Sequence, residues 1–140
     1  MILKIKLENG AKVPTKKTNG AACYDCYANN SKAVWLFPFQ TKVIPLGIRT
    51  EFDDKYYVEV RGRSGNALKG LQIIHGTVDA DYRGEIGAII HNNSIFIKRI
   101  KHGDRIAQIC VQKISESVIE ITDSLSTTER GEGGFGSTGR

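Results

Sequence analysis

Short β-prone segments separated by turn residues run through almost the whole chain and constrain its fold more than any other feature. They are rich in Val, Ile, Tyr and Phe, and pairs such as Asn9-Gly10, Asn19-Gly20 and Asn92-Asn93 lie between them. Segments of this length and composition, with almost no helical periodicity, predict an all-β sandwich or barrel. The candidate strands span residues 2–7, 22–27, 33–39, 42–49, 56–61, 71–75, 87–91, 95–100, 105–113 and 117–121.

One short helix interrupts this pattern. Ser64 is a candidate N-cap for a helical segment at 65–69, and Gly70 is suited to end it. Trp35 and Phe37 alternate in a predicted strand, so we expect them to pack in the core, with an exposed patch as the alternative. With 140 residues the chain is long enough for one domain with its own core. We divide it into a β domain, residues 1–123, and a C-terminal arm, residues 124–140.

Charge and hydropathy limit the kinds of binding partner and the cellular compartment that we expect. The net charge of +5 suits an anionic ligand, but no basic run or aromatic-plus-basic stripe indicates a nucleic-acid groove. No apolar run approaches the roughly 20 residues that span a bilayer, and the N-terminus alternates like a strand rather than a signal peptide. We therefore expect a cytoplasmic protein (or one of the host-cell cytoplasm or nucleus, if viral) with neither nucleic acid nor membrane as partner.

The three cysteines are predicted to be reduced packing residues. An odd number of cysteines without a secretion signal indicates a reducing compartment. Cys23 and Cys26 have the spacing of half a zinc knuckle, but a strand directs residues three apart to opposite faces. With Cys110 as the only other cysteine, a metal site built on these thiols is not expected.

Polar, glycine-marked segments interrupt the strands at several places. In the first, residues 21–27, Asp25 lies in an apolar strand and needs a partner, because burying a lone carboxylate is costly. In the second, Gly62-Arg63-Ser64-Gly65 opens the predicted helix with the amides, hydroxyl and guanidinium that bind phosphates. On the residues alone, a structural carboxylate and a capped helix explain these two segments as well as ligand binding does.

Residues 76–85 form the third polar segment, which lies between two predicted strands and predicts a hairpin. It combines carboxylates that could activate water with a ring that could contact a sugar. A salt-bridged solvent face is the alternative reading of the same residues. The groups concerned are Asp79, Asp81, Glu85 and Tyr82.

Two further polar segments follow. Residues 103–109 form a polar turn that enters an apolar strand, where Gln108 is either a ligand contact or a satisfied amide. Residues 130–140 hold five glycines, two arginines, a serine, a threonine and one aromatic ring. Such a segment cannot form a core element, but it offers donors for phosphates and a ring for a base. A solvated tail is the alternative.

Taken in order, these segments resemble the five motifs of the trimeric dUTP diphosphatase (dUTPase) family. The resemblance covers nearly all 140 residues, and the third and fifth motifs are its longest and most unusual parts. It implies a jelly-roll-like β-barrel with one short helix and a flexible glycine-rich C-terminal arm that closes over an active site. The matching stretches are 21–28, 63–65, 76–85, 103–108 and 130–139.

The same resemblance implies an activity and an assembly. The enzyme would be a hydrolase that converts dUTP and water to dUMP and pyrophosphate with Mg²⁺. It would limit uracil incorporation into DNA and supply dUMP for thymidylate synthesis. The protein would be a homotrimer with its active sites between subunits.

Individual residues acquire roles from the resemblance. Asp79 matches the aspartate that activates the water attacking the α-phosphorus, and Asp25 matches a residue that acts on Mg²⁺ through water. The implied contacts to the phosphate chain are Arg63, Ser64, Gly65, Gln108, Arg130, Ser137 and Thr138. The implied contacts to uracil and deoxyribose are Gly76, Thr77, Val78, Tyr82, Gly87, Phe135 and Gly136.

The chain departs from the family pattern near two motifs. Cys23 stands where a glycine is usual, and Cys26 where an aliphatic residue is usual. Gly62 replaces a common proline, and Asn66 a common leucine. These changes leave the local geometry around Asp25 open but remove none of the chemical groups.

Three other functions compete with this one. A dCTP deaminase-like enzyme of the same fold would need a glutamate base in the third motif, and Glu85 lies too far along it to replace Asp79. A nucleotide-gated regulatory protein would present a partner surface, for which residues 35–40 and 53–57 are candidates. A jelly roll without an active site leaves the five motifs unexplained.

Overall fold

The computed structural model describes residues 1–134, which form eleven strands and one helical turn. In that part of the chain, no helix has the length and apolar character needed to span a bilayer. The elements are β1 Lys4–Leu7, β2 Tyr24–Tyr27, β3 Val34–Leu36, β4 Thr41–Pro45, β5 Ile48–Glu51, β6 Tyr56–Arg61, α1 Ser64–Ala67, β7 Leu71–Ile73, β8 Gly76–Val78, β9 Gly87–Asn92, β10 Lys98–Ile100 and β11 Arg105–Lys113.

The strands pair into antiparallel sheets around one core, which confirms the predicted all-β class. A four-stranded sheet has the order β2-β11-β6-β8, and a three-stranded sheet has the order β4-β9-β7. The pairs β1-β5 and β10-β3 complete the jelly-roll-like barrel. Alternate side chains of all four sheets meet in a single apolar cluster, in which Leu36, Ile44, Ile48, Val58, Ile90 and Ile109 are almost fully buried.

Most strand predictions are confirmed, and one is divided. Strands β6 and β11 have the predicted bounds, whereas the segment 42–49 forms both β4 and β5. Gly47 makes the break, because its φ of 68° lies in the left-handed region. A Cβ at this position would also lie 2.5 Å from Cβ of Ala11, so only glycine fits the turn.

One strand prediction and one strand-pairing prediction are wrong. Residues 117–121 form no strand, and Val118, Ile119 and Ile121 are 94%, 92% and 94% exposed. The third motif is not a paired hairpin either, since β8 pairs with β6 while β9 pairs with β4 and β7. Residues 79–86 therefore connect two sheets rather than two neighbouring strands.

The expected burial of Trp35 and Phe37 is also wrong. Their side chains are 50% and 55% exposed, whereas Leu36 between them is fully buried. The alternation of the strand is real, but its phase is opposite to the one predicted.

The helical turn begins one residue earlier than predicted. Arg63 occupies the N-cap position with extended backbone, and no side chain caps the turn, so the predicted Ser64 cap is wrong. Gly70 does end the segment, with φ of 80° and a hydrogen bond from its N–H to the carbonyl of Ala67.

Asn92 holds two surface turns together from inside the barrel. It is fully buried, and its side-chain amide faces the carbonyls of Leu36, Phe37 and Phe96 at 3.1, 3.1 and 2.8 Å. Its backbone carbonyl accepts from Phe39 N at 2.8 Å. One buried amide thus satisfies backbone groups on both turns.

Replacing Asn92 with alanine should lower the free energy of unfolding by about 2–4 kcal/mol, because the carbonyls it satisfies lose their partner. Urea unfolding at a fixed protein concentration measures the change. The exposed neighbour Asn93 provides the control: Asn93→Ala should alter stability by less than about 0.5 kcal/mol. Equal effects of the two substitutions would show that the buried amide has no such role.

Candidate functional site

A buried carboxylate organises the first part of the candidate site. Asp25 on β2 is 6% exposed and lies opposite Gln108 on β11. Its Oδ1 accepts hydrogen bonds from Arg63 Nε at 3.1 Å and Gln108 Nε2 at 3.2 Å. Its Oδ2 accepts from Arg105 Nη1 at 3.2 Å. The structure thus brings together three predicted site residues, Asp25, Arg63 and Gln108.

The surroundings of Asp25 keep it ionised. Burial alone would raise the pKa of its carboxyl group, but the Gln108 hydrogen bond and the charges of Arg63 and Arg105 outweigh burial. The pKa of Asp25 therefore lies below its ordinary value. Two guanidinium groups against one carboxylate leave the cluster with a net positive charge.

Two residues of this cluster were missed by the sequence reasoning. Arg105 lies in the fourth motif but received no role, although its carbonyl also accepts from Arg63 Nη1 at 3.1 Å. Asn66 was noted only as a departure from the family. Its side-chain amide donates to the carbonyls of Arg105 and Ile106 at 3.1 and 3.3 Å, which ties α1 to β11. The signal in both cases was a polar side chain beside a motif residue.

Ser64 and Gly65 lie exposed next to Arg63, at the edge of the cluster. A Cβ added at Gly65 would meet nothing within 4 Å, so the packing of this chain does not require glycine there. Room beside an arginine and a hydroxyl group is therefore free for a ligand.

The third motif lines a separate cavity of about 240 Å³. Residues 76–79 form one wall, and Tyr82, Glu85 and Gly87 lie around it. Six further predicted site residues line this cavity: Gly76, Thr77, Val78, Asp79, Tyr82 and Gly87.

Hydrogen bonds fix the polar side chains of this cavity. Tyr82 OH donates to the carbonyl of Glu85 at 3.1 Å, which orients the ring. Glu85 Oε1 accepts from Gly47 N at 3.1 Å, so this carboxylate holds a neighbouring turn. The side chain of Asp79 is exposed at the cavity. Of these two acidic side chains, Asp79 is the one directed to solvent beside the cavity.

The two strands beside the cavity, β8 and β9, contribute different backbone features. β8 is the outer strand of the four-stranded sheet, so part of its N–H and C=O groups point away from β6. Gly87 on β9 has a packing reason to be glycine, because a Cβ would lie 2.6 Å from Val43 Cγ1.

The cluster and the cavity lie far apart within one chain. Asp25 and Asp79 are separated by three strand spacings across the sheet and about four residues along it. With spacings of about 4.8 Å and 3.4 Å on a flat sheet, the Cα atoms of Asp25 and Asp79 would be roughly 20 Å apart. A single chain therefore does not assemble all the predicted residues around one small ligand.

The described part of the C-terminal arm, residues 124–134, contributes no hydrogen bond to the Asp25 cluster or to the third-motif cavity. Arg130 Nε donates to the carbonyl of Gly133 at 2.8 Å, inside the arm itself. The predicted contacts Phe135, Gly136, Ser137 and Thr138 lie outside the described residues.

The cysteines behave as packing residues. Cys26 and Cys110 are buried, and burial raises the pKa of Cys26 to about 12. Burial and the nearby Cys110 thiol raise the pKa of Cys23 to about 11. Among residues 1–134, no group of three or more His, Cys, Asp or Glu side chains is arranged to hold a metal ion.

The structure thus combines an all-β barrel, a buried carboxylate held by two arginines, and a cavity beside an exposed carboxylate. The family model for dUTPase matches residues 9–139. The deoxyuridine 5′-triphosphate nucleotidohydrolase of Chlamydia muridarum is 44% identical, covering 96% of this chain and 95% of the relative. That of a Thermoanaerobacter species is 42% identical, covering 99% and 98%.

Solved structures agree with the sequence relatives. The Staphylococcus bacteriophage 80alpha dUTPase with dUpNHpp has a TM-score of 0.90 at 28% identity, covering 99% of both chains. This chain belongs to the dUTPase family.

The depressed pKa of Asp25 predicts a pH-dependent contribution to stability. Ionised Asp25 should stabilise the fold above its unfolded-state pKa of about 3.9, and this stabilisation should disappear as the pH falls through the lower folded-state value. The stability difference between the wild type and Asp25→Asn should therefore be full at neutral pH and shrink in acid. Urea unfolding between neutral and acidic pH measures it. Exposed Asp54→Asn is the control, and a difference independent of pH would contradict the assignment.

Proposed function

We propose that this protein hydrolyses dUTP to dUMP and pyrophosphate in the cytoplasm (or the host-cell cytoplasm or nucleus, if viral), limiting uracil in DNA and supplying dUMP for thymidylate. Membership of the dUTPase family carries the proposal, and relatives of about 42–44% identity bear the nucleotidohydrolase name. The cavity of the third motif supports it, because its volume of about 240 Å³ suits a base and sugar.

Uracil pairs with the backbone of residues 76–78. The free edge of β8 supports this role, since its outward N–H and C=O groups have fixed polarity. Cytosine would leave such groups unpaired, at about 1–3 kcal/mol for each buried group. Tyr82 lies against the deoxyribose and excludes a 2′-hydroxyl, with its ring oriented through the bond to Glu85. Gly87 also lines the cavity, where its lack of a side chain leaves its backbone accessible to the nucleoside.

Asp79 holds and deprotonates the water that attacks the α-phosphorus. Its exposure at the cavity supports this role, because a general base must reach both solvent and substrate. A positioned carboxylate of this kind contributes about 10²–10⁴-fold in rate.

The positively charged cluster receives the phosphate chain. Arg63, Ser64 and Gly65 contact phosphate oxygens, and Gln108 orients them. Mg²⁺, when bound, would neutralise charge on the phosphates. Asp25 would hold it only through water, because both oxygens of its carboxylate already accept bonds from Arg63, Arg105 and Gln108.

The active site is completed between copies of the chain in a homotrimer. The separation of roughly 20 Å between Asp25 and Asp79 supports this, because one dUTP cannot reach both in the same chain. The exposed apolar side chains of Val118, Ile119 and Ile121 support it too, since they suit packing against another copy.

The C-terminal arm, residues 124–140, then closes over the bound nucleotide. Arg130, Ser137 and Thr138 contact the β- and γ-phosphates, and Phe135 with Gly136 covers the uracil ring. The exposure of residues 115–132 supports an arm that is free to reach a ligand.

The purified protein should release pyrophosphate from dUTP in the presence of Mg²⁺, strongly prefer dUTP to dTTP, dCTP and UTP, and lose turnover in EDTA. Ammonia release from dCTP would instead assign the protein to the deaminase alternative.

Asp79→Asn should lower kcat by about 10²–10⁴-fold and leave dUTP affinity nearly unchanged, because the substitution keeps the size of the side chain but not its basicity. A loss of affinity as large as the loss of rate would contradict the role of Asp79.

Mixing two inactive variants tests whether sites form between chains. An Asp79→Asn chain keeps the Arg63 cluster, and an Arg63→Ala chain keeps the cavity. After joint refolding in equal amounts, about a quarter of the sites should combine two intact halves and regain activity. Light scattering should show a trimer in every sample.

The matched control is refolding each variant alone, which should restore nothing. Mixing a Gln108→Ala chain with an Asp79→Asn chain gives an independent repeat of the experiment. If mixed refolding restores no activity although trimers form, the two halves belong to one chain.

A further inference from the structure

Two neighbouring turns expose an apolar surface on the side of the barrel where β3 pairs with β10. We call it the apolar tip. Continuing the β3–β10 register beyond Leu36 and Lys98 places Ile97 opposite Phe37, and Asn92 binds carbonyls of both turns. Its members are between 50% and 71% exposed: Trp35, Phe37, Phe39, Ile95, Phe96 and Ile97.

The apolar tip is large for a surface feature. Its four aromatic side chains alone expose roughly 400 Å², if each offers about half of a ring's 150–250 Å². The largest apolar patch on an ordinary monomer covers about 300–600 Å² and usually has a function.

The apolar tip is also held rigidly and has few unsatisfied polar groups. Asn92 binds the carbonyls of Leu36, Phe37 and Phe96 from inside, and Ser94 Oγ also donates to the carbonyl of Phe96 at 3.2 Å. Phe39 adopts φ of 59°, an unfavourable conformation for a bulky residue, and presents its ring to solvent. Covering the turns with apolar material would therefore leave these carbonyls paired.

Positive charge surrounds the apolar tip. Lys42 Nζ donates to the carbonyl of Trp35 at 3.0 Å, and the Arg99 guanidinium lies 5.2 Å from the centroid of the Trp35 ring. Lys98 lies opposite Leu36 in the register of the same strand pair. Neither segment that builds the tip, residues 30–45 or 87–101, contains an Asp or Glu. Two copies of this surface facing each other would bring like charges together, whereas an anionic partner would be complementary to Lys42, Lys98 and Arg99.

Against the expectation from the sequence that no membrane is a partner, we propose that the apolar tip binds the surface of an anionic lipid bilayer. The Ile95 and Phe96 side chains enter the boundary between headgroups and acyl chains, Trp35 lies at headgroup level, and the cations contact headgroup phosphates. The four exposed rings alone would also suit stacked bases, but the aliphatic side chains of Ile95 and Ile97 beside Phe96 gain only from an apolar medium, which favours the bilayer. A bilayer surface also accepts two protruding turns without a groove of matching shape.

Trp35 is the only tryptophan in the chain, so its fluorescence reports on the apolar tip alone. Vesicles of phosphatidylcholine with about 30% phosphatidylglycerol should shift its emission to shorter wavelength and sediment the full-length protein. Pure phosphatidylcholine vesicles should sediment at least about fivefold less, and added salt should release the protein.

Variants separate the two parts of the surface. Ile95→Ser with Phe96→Ser should weaken vesicle binding about tenfold or more, and Lys98→Gln with Arg99→Gln should weaken it by a similar factor. A matched pair of single variants, Ile95→Ser in the tip and Ile2→Ser outside it, serves as the control, because these isoleucines are similarly exposed at 71% and 78%. Ile95→Ser should weaken vesicle binding. Ile2→Ser should bind as the wild type does, and all variants should keep dUTP hydrolysis and the thermal midpoint. Phe37→Ser gives an independent test should a tip variant fold poorly.

Several results would overturn the proposal. Absence of both the spectral shift and sedimentation with anionic vesicles would do so directly, as would equal binding to pure phosphatidylcholine. Unchanged binding by both Ile95→Ser/Phe96→Ser and Phe37→Ser would place the contact elsewhere. Quenching of Trp35 by an oligothymidylate, without any response to vesicles, would identify a single-stranded nucleic-acid surface instead.

Discussion

The burial of one charge, the Asp25 carboxylate, sets the arrangement on which the first half of the site depends. A carboxylate in the barrel wall is tolerated only with partners, since removing an ion from water costs several kcal/mol. Arg63, Arg105 and Gln108 meet that requirement from β11 and from the loop after β6. The same contacts that stabilise the barrel therefore leave two arginines in place and an excess of positive charge at the surface.

The strand pattern of the fold could be predicted, but boundaries set by tertiary contacts could not. Apolar side chains occupy most interior positions of β6 and β11, with polar residues at or just beyond their ends, which explains why their bounds were right. Gly47 divides a continuous apolar run because its backbone must pass close to Ala11, a contact between distant residues. Residues 117–121 have the composition of a strand, but no segment among residues 1–134 pairs with them. Composition alone does not say whether a partner strand lies in the same chain or in another copy.

Candidate site residues could be proposed from residue type and order, but their separation in space could not. The motifs propose Asp25, Arg63 and Gln108, and the structure brings these three together because β2 pairs with β11. The roles of Arg105 and Asn66 were not predicted, because their partners lie far away in sequence. Arg105 binds the Asp25 carboxylate and Asn66 binds the Arg105 carbonyl, and only the folded structure brings these groups together. The phase error at Trp35 has the same origin: alternation predicts two faces but does not say which one meets the core.

If each site is built from two chains, as proposed, the distance between the Asp25 cluster and the Asp79 cavity would tie catalysis to the amount of protein present. An isolated chain would then be inert, and assembly would follow mass action. At concentrations well below the dissociation constant of a trimer, activity would fall roughly with the third power of the chain concentration. Newly synthesised chains would then remain silent until enough of them accumulate, so expression level alone could act as a threshold on the enzyme.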